Sequence, residues 1–133
     1  MSLSAQEDYD DFYEFIKTIT LSLEATDPDL YSIQNGRIFV PLYETAHALG
    51  SYVKQDEGGK FSIILSTKTL NMTIGSNTGF IDDEEFYMDV VPQVIDGTIM
   101  VPARLVFEKL GAVVSYDSIA SVITIAYDPY QTK

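Results

Sequence analysis

The chain has 133 residues, 46% of them hydrophobic, and sets 20 acidic side chains against 8 basic ones for a formal net charge of -12. That length suits one compact core, and the acidity opposes phosphate backbones and anionic lipid surfaces as partners. The chain has no cysteine, which excludes disulfides, thiolate metal sites and a cysteine nucleophile, and no apolar run approaches the ~18 residues of a membrane span.

The first thirty residues form an acidic segment that joins the domain, with Glu7, Asp8, Asp10, Asp11, Glu14, Glu24, Asp27 and Asp29. No signal peptide is legible; the opening Met-Ser-Leu reads as an expression remnant where a cleaved leader stood. Tyr9, Phe12, Ile16, Ile19 and Leu23 have helical spacing. Tyr13, Phe15, Ile19, Leu21 and Leu23 alternate as in a strand, and Thr18 and Thr20 favour a strand. A helix to about Ile16, then a strand over residues 18–23, reconciles the two patterns.

Next comes a turn at Asn35-Gly36, a short strand of Ile38, Phe39 and Val40, and Pro41 as the expected first helical residue. Leu42, Thr45, Ala46 and Leu49 share one helical face, and Gly50 stands where a left-handed C-cap is expected. Strands over residues 52–56 and 61–66 flank Glu57-Gly58-Gly59-Lys60. Leu70, Met72 and Ile74 alternate with polar neighbours, residues 75–79 read as a turn, and Phe80-Ile81 and residues 86–90 flank an acidic hairpin tip. Pro92 disfavours a central strand. The order then repeats: Asp96-Gly97, then Ile99, Met100 and Val101, then Pro102. Ala103, Val106, Phe107 and Leu110 form a second helical face, Gly111 caps it, and strands follow over residues 113–117 and 122–127.

The repetition holds residue by residue. Residues 35–65 align without a gap with residues 96–126, and nine of thirty-one positions are identical. They are Gly36/Gly97, Ile38/Ile99, Val40/Val101, Pro41/Pro102, Leu49/Leu110, Gly50/Gly111, Val53/Val114, Asp56/Asp117 and Ile64/Ile125. These are turn, cap and core residues, with no shared nucleophile, base or metal ligand. The repeated content concerns shape, and it predicts an α+β domain over residues 31–127 made of two strand-helix-hairpin repeats, with residues 128–133 as a tail or linker.

Chemistry-bearing candidates are few. His47 is the one histidine and aligns with Glu108, which places it on the outward helix face; copper and catalytic zinc sites need two or three imidazoles. Asp82, Asp83, Glu84 and Glu85 lack the spaced loop that wraps calcium and read as solvated surface. No nucleophile elbow, phosphate loop or dinucleotide motif is present, and no acid pair is marked for glycoside hydrolysis. Arg104 and Glu108 are spaced i, i+4, which gives Arg104 a structural role with a carboxylate clamp as the rival. Tyr43, Tyr52, Tyr87 and Tyr116 could stack on sugar rings, although burial of the ring with the hydroxyl at the surface is the commoner fate of tyrosine.

The segments "VPLYETAHALGSYVKQD", "LNMTIGSNTGFIDDEEFYMDVVPQVIDGTIMVPARLVFEKLGAVVSYD" and "VITIAY" resemble the copper amine oxidase N-terminal-like (stalk) domain family. Its pattern is a Val-Pro-Leu-Arg helix start, an Ala-Leu-Gly helix end, a Val-x-Trp-Asp strand and a Thr-x-Gly-Ser turn. The resemblance spans about residues 18–127. Tyr43 replaces the family's first arginine while Arg104 matches the second, Gln55 and Tyr116 replace tryptophan, and Asp82-Asp83 replaces an Asn-Gly turn. The resemblance implies an α+β fold in which a twisted antiparallel sheet wraps on a short helix in each unit. It also implies a secreted or surface-anchored bacterial protein, with copper and quinone chemistry confined to a separate catalytic domain.

The expected function is a non-catalytic extracellular module, a spacer or adaptor without cofactor or metal. The alternative is a module that binds cell-wall glycan or peptide. Partners are then cell-wall components or other domains of the same chain, without nucleic acid or membrane insertion. Any partner surface is expected near the helix starts, at Tyr43 and Arg104, with Tyr52 and Tyr116.

Overall fold

The computed structural model describes residues 16–22 and 32–130. The chain runs through β1 (Lys17–Ser22), β2 (Ser32–Gln34), β3 (Arg37–Pro41), α1 (Leu42–Ala48), β4 (Tyr52–Gln55) and a 3-10 turn (Glu57–Gly59). It continues through β5 (Lys60–Leu65), β6 (Lys68–Thr73), β7 (Thr78–Ile81), β8 (Glu84–Tyr87) and β9 (Gln93–Ile95). β10 (Thr98–Pro102), α2 (Ala103–Phe107), β11 (Val113–Asp117) and β12 (Val122–Tyr127) complete it. The fold is α+β, one domain of mostly antiparallel strands with two short helices among the described residues. The strand expected at residues 18–23 is β1; the helix expected before it falls on residues outside those described.

Strand pairing gives three sheets, ordered β1-β12-β11, β2-β3-β10-β9 and β4-β5-β6-β7-β8. The middle sheet is built on two tight turns. Asn35 and Gly36 have φ of 52° and 73°, and Asp96 and Gly97 have φ of 51° and 81°. Positive φ at both central residues is the hairpin geometry that Asn-Gly and Asp-Gly favour. The two hairpins meet along β3 and β10, where Val40 pairs directly with Val101, and Phe39 and Pro41 pair with Pro102 and Met100.

Each of these strands runs straight into a helix. Pro41 (ψ 131°) and Pro102 (ψ 117°) are extended strand residues that precede the helix, not its first residue as expected from sequence. Each is the last residue of its strand, where the ladder ends and the helix begins. Leu42, Thr45, Ala46 and Leu49 are buried on and just after α1, as are Ala103, Val106, Phe107 and Leu110 on and after α2. Both helices end on a left-handed glycine, Gly50 (φ 81°) and Gly111 (φ 97°). The hydrogen bonds Ser51 N–H to Ala46 O (2.9 Å) and Gly50 N–H to His47 O (3.0 Å) close the first end. Ala112 N–H to Phe107 O (3.0 Å) and Gly111 N–H to Glu108 O (3.1 Å) close the second in the same way.

Register corrects the gap-free alignment at its last strand. Gln55 faces Phe61, whereas Tyr116 faces Ile123, so the second hairpin is one residue longer around its turn. Val53 therefore lies opposite Ile63, and Val114 opposite Ile125. Ile64 and Ile125, identical in the alignment, do opposite jobs: Ile125 is fully buried and Ile64 is half-buried on the other sheet face. The turn expected over residues 75–79 is also shorter, because Thr78 and Gly79 belong to β7.

One core joins all of this. Val40, Leu49, Ile63, Leu70, Phe86, Val101, Phe107, Leu110 and Ile125 belong to one buried cluster, against which Ile19 and Leu21 of β1 pack. Phe39, Met100 and Val90 form a smaller cluster. The core contains one polar misfit. Thr45 is fully buried on α1, and its Oγ1 has no hydrogen-bond partner. A buried hydroxyl left unpaired costs ~1–3 kcal/mol. At the matching place on α2 stands Val106, also fully buried. Thr45→Val is expected to stabilise the domain by about 1 kcal/mol, read as a higher urea midpoint at unchanged slope; a lower midpoint refutes this.

Candidate partner surface

A pocket at the start of α2 brings together residues that are far apart in the sequence. The β2–β3 turn delivers Gly36, Arg37 and Ile38 to one side of this pocket of about 210 Å³. Pro102, Ala103 and Arg104 form the second side, and Val114, Tyr116 and Ile123 of the β11–β12 hairpin form the third. The alternation of β11 puts Val114 and Tyr116 on one face: Val114 is buried, and Tyr116, nearer the end of the strand, stays 47% exposed.

Two exposed ion pairs frame the pocket. Arg37 Nε donates to both Asp89 carboxylate oxygens at 3.1 and 3.3 Å, and its Nη2 donates to Oδ2 at 3.3 Å. Arg104 Nη1 donates to Glu108 Oε2 at 2.7 Å, across one helical turn as the spacing predicts. The start of β9 is also tied to the β2–β3 hairpin by Gln34 and Gln93, whose amides exchange hydrogen bonds of 3.0 and 2.6 Å. Arg37 stands in no motif that marks it in the sequence. The one signal for it is that it and Arg104 are the chain's two arginines.

Of the four residues expected at a partner surface, the structure brings Arg104 and Tyr116 together and holds Tyr43 and Tyr52 elsewhere. Tyr43 is exposed on α1 and its hydroxyl donates to Gln55 Oε1 at 2.7 Å. Tyr52 on β4 and Tyr87 on β8 occupy opposite edges of the five-stranded sheet, exposed by 63% and 69%. All four tyrosines are thus exposed, which corrects the expectation that their rings are buried, yet they do not line one groove. Tyr87 O–H donates to Glu85 Oε1 at 3.1 Å, and the neighbouring carboxylate raises its pKa above the usual tyrosine value.

The remaining candidates have local roles. Asp82 has φ 55° at the hairpin tip; its N–H donates to Thr69 O at 2.7 Å and its Oδ1 accepts from Thr69 N–H at 3.0 Å. Glu84 and Glu85 are successive residues of β8, so their side chains point to opposite faces. His47 is exposed on α1 beside Tyr43 and Glu44. Copper does not fit this donor set: the chain has one imidazole, and the described residues bring no three His, Cys, Asp or Glu side chains into a metal-holding group. No helix of the described residues is long and apolar enough to cross a membrane.

Fold and surface together define a small α+β module with a shallow pocket at the start of α2. Residues 24–125 match the Copper amine oxidase N-terminal domain, and the chain belongs to that family. The N-terminal domain of that family is in itself a non-catalytic, stalk-like module. No curated protein and no solved structure matches the chain.

Proposed function

We propose that the protein is a non-catalytic structural and interaction module that works outside the cell as a spacer or adaptor within a larger secreted or surface-attached protein. The observation that carries this reading is the family match over residues 24–125, which covers both helices and every described strand except β1 and the last two residues of β12. Two halves built on one strand-helix-hairpin plan support it. Val40 and Val101, which the sequence alignment equates, pair with each other at the centre of the middle sheet, as two copies related by a local two-fold axis would place them. Such an arrangement puts the chain's resources into a rigid body. The strongly acidic surface keeps the module soluble and repels nucleic acid.

A second reading, a ligand-binding module for a cell-wall component, is favoured by the pocket at Arg37, Arg104 and Tyr116. The test has two arms. Purified protein is assayed against oxidase, glycosidase, esterase and peptidase substrates, and cells producing the full-length protein are treated with external protease. The expected results are no turnover and cleavage of the module on intact cells. Turnover lost on substitution of a single carboxylate overturns the non-catalytic reading, and protection until lysis overturns the location.

A further inference from the structure

In a chain with a net charge of -12, both arginines line the same small pocket. Their carboxylate partners, Asp89 and Glu108, are not among the pocket's lining residues. The floor between the guanidinium groups is apolar, made chiefly by Ile38, Val114 and Ile123. β11, which supplies Val114 and Tyr116, is an edge strand of its sheet, and an edge presents backbone groups that an extended chain can pair with.

We propose that this pocket captures the C-terminal carboxylate of an extended peptide that ends in an aliphatic residue. The peptide lies along the edge of β11, its last side chain enters the apolar floor, and its carboxylate exchanges with Glu108 at Arg104. This rests on the ligand-binding reading above and names its ligand.

The two arginines are suited to different tasks. Arg37 is fixed by a three-bond fork to Asp89 and supplies a stationary positive charge. Arg104 is held by one bond from a neighbour four residues on, in the less favourable Arg-before-Glu order and about half exposed. Such an exposed pair contributes little, so an incoming carboxylate displaces Glu108 at little cost. A guanidinium binds carboxylate and phosphate equally well in geometry. Two features select the carboxylate: the apolar floor suits a single charged head on an apolar body, and an acidic protein repels a dianion more than a monoanion.

The corresponding corner of the other half has no such site. Tyr43 and Gln55 stand 61 residues before Arg104 and Tyr116, and their side chains satisfy each other through a 2.7 Å hydrogen bond. One pocket per chain is expected.

The experiment is a titration of the full ¹⁵N-labelled chain, followed by NMR, with acetyl-Ser-Thr-Val-Leu bearing a free carboxylate. The comparison probes are its C-terminal amide, N-acetyl-leucine, sodium phosphate and a neutral cello-oligosaccharide. The free-acid peptide is expected to shift the amides of Gly36, Ala103 and Tyr116 saturably, and to bind about ten-fold more tightly than its amide, the gain of a charge-assisted hydrogen bond. Arg104→Gln is expected to remove that ten-fold preference, and Glu108→Gln to strengthen binding, which a purely structural Arg104–Glu108 pair would not do. Equal affinity for acid and amide, or N-acetyl-leucine binding as tightly as the peptide, overturns the peptide-end assignment. Phosphate as the best probe overturns it too. Oligosaccharide binding at the same amides overturns the ligand chemistry but keeps the ligand-binding reading, while silence from every probe overturns both and leaves the spacer.

Discussion

Leu110→Ala is expected to lower the melting temperature of the whole domain in one transition, at a cost of about 2–5 kcal/mol. Leu110 is 1% exposed and lies in the same buried cluster as Leu49 and Ile63 of the first repeat and Leu70 and Phe86 of the strands between the repeats. Neither half has enough elements to bury a core alone: each contributes one helix of seven or fewer residues. The central contact between the halves is a backbone ladder through Val40 and Val101, so loosening one side removes the template of the other. For a domain of this size the loss corresponds to a fall on the order of 10 °C. Calorimetry checks it. Two transitions, of which only one moves in Leu110→Ala, would show that the halves melt independently.

What is legible in the sequence follows from local physics. A helix that buries one face needs apolar residues at three- and four-residue spacing. Leu42, Ala46 and Leu49, and Ala103, Val106, Phe107 and Leu110, are therefore assignable to the core from spacing alone. Asn-Gly, Asp-Gly and the helix-ending glycines announce themselves because few other residues take positive φ at those places. What stays hidden is tertiary. β1 lies beside β12, so that Thr20 and Thr124 come within 3.2 Å across 104 residues, and no local signal records that. The added residue between Tyr116 and Ile123 is invisible to a gap-free alignment, because an isoleucine falls at position 125 either way.

The candidate site divides along the same line. Arg104 and Tyr116 stand out in the sequence for their chemistry, but their shared pocket depends on Arg37, brought there by a turn from the other half. The exposure of Tyr52 and Tyr87 depends on β4 and β8 being sheet edges, and edges are decided by pairing order rather than by pattern. The hydroxyl of Tyr43 is engaged by Gln55, one of the two positions where the family's tryptophan is replaced.

Gly79 is the position where sequence reading and structure differ most in consequence. Its expected role is to close a turn, which a substitution at the surface would disturb little. In the structure it sits inside β7, directly opposite Phe86 on β8, and it is buried. A Cβ at Gly79 would lie 2.6 Å from Phe86 Cζ and 2.8 Å from Cε1, with Met72 Cγ at 3.2 Å on the other side. Gly79 is therefore required for space: the aromatic ring of the neighbouring strand lies across its backbone. Phe86 has little freedom to yield, since it is 9% exposed within the main core and Lys109 Nζ rests 4.6 Å from its ring centroid. Gly79→Ala is expected to cost about 1–3 kcal/mol through overpacking, despite the entropy that alanine removes from the unfolded chain. The cause is separable by a double-mutant cycle. Phe86→Leu removes the ring atoms nearest the new methyl, so Gly79→Ala made in that background should cost at least ~0.5 kcal/mol less than in the wild type. Denaturant unfolding followed by circular dichroism measures all four corners. An equal cost in both backgrounds would show that Gly79 is needed for its backbone, and that the contact with Phe86 is incidental.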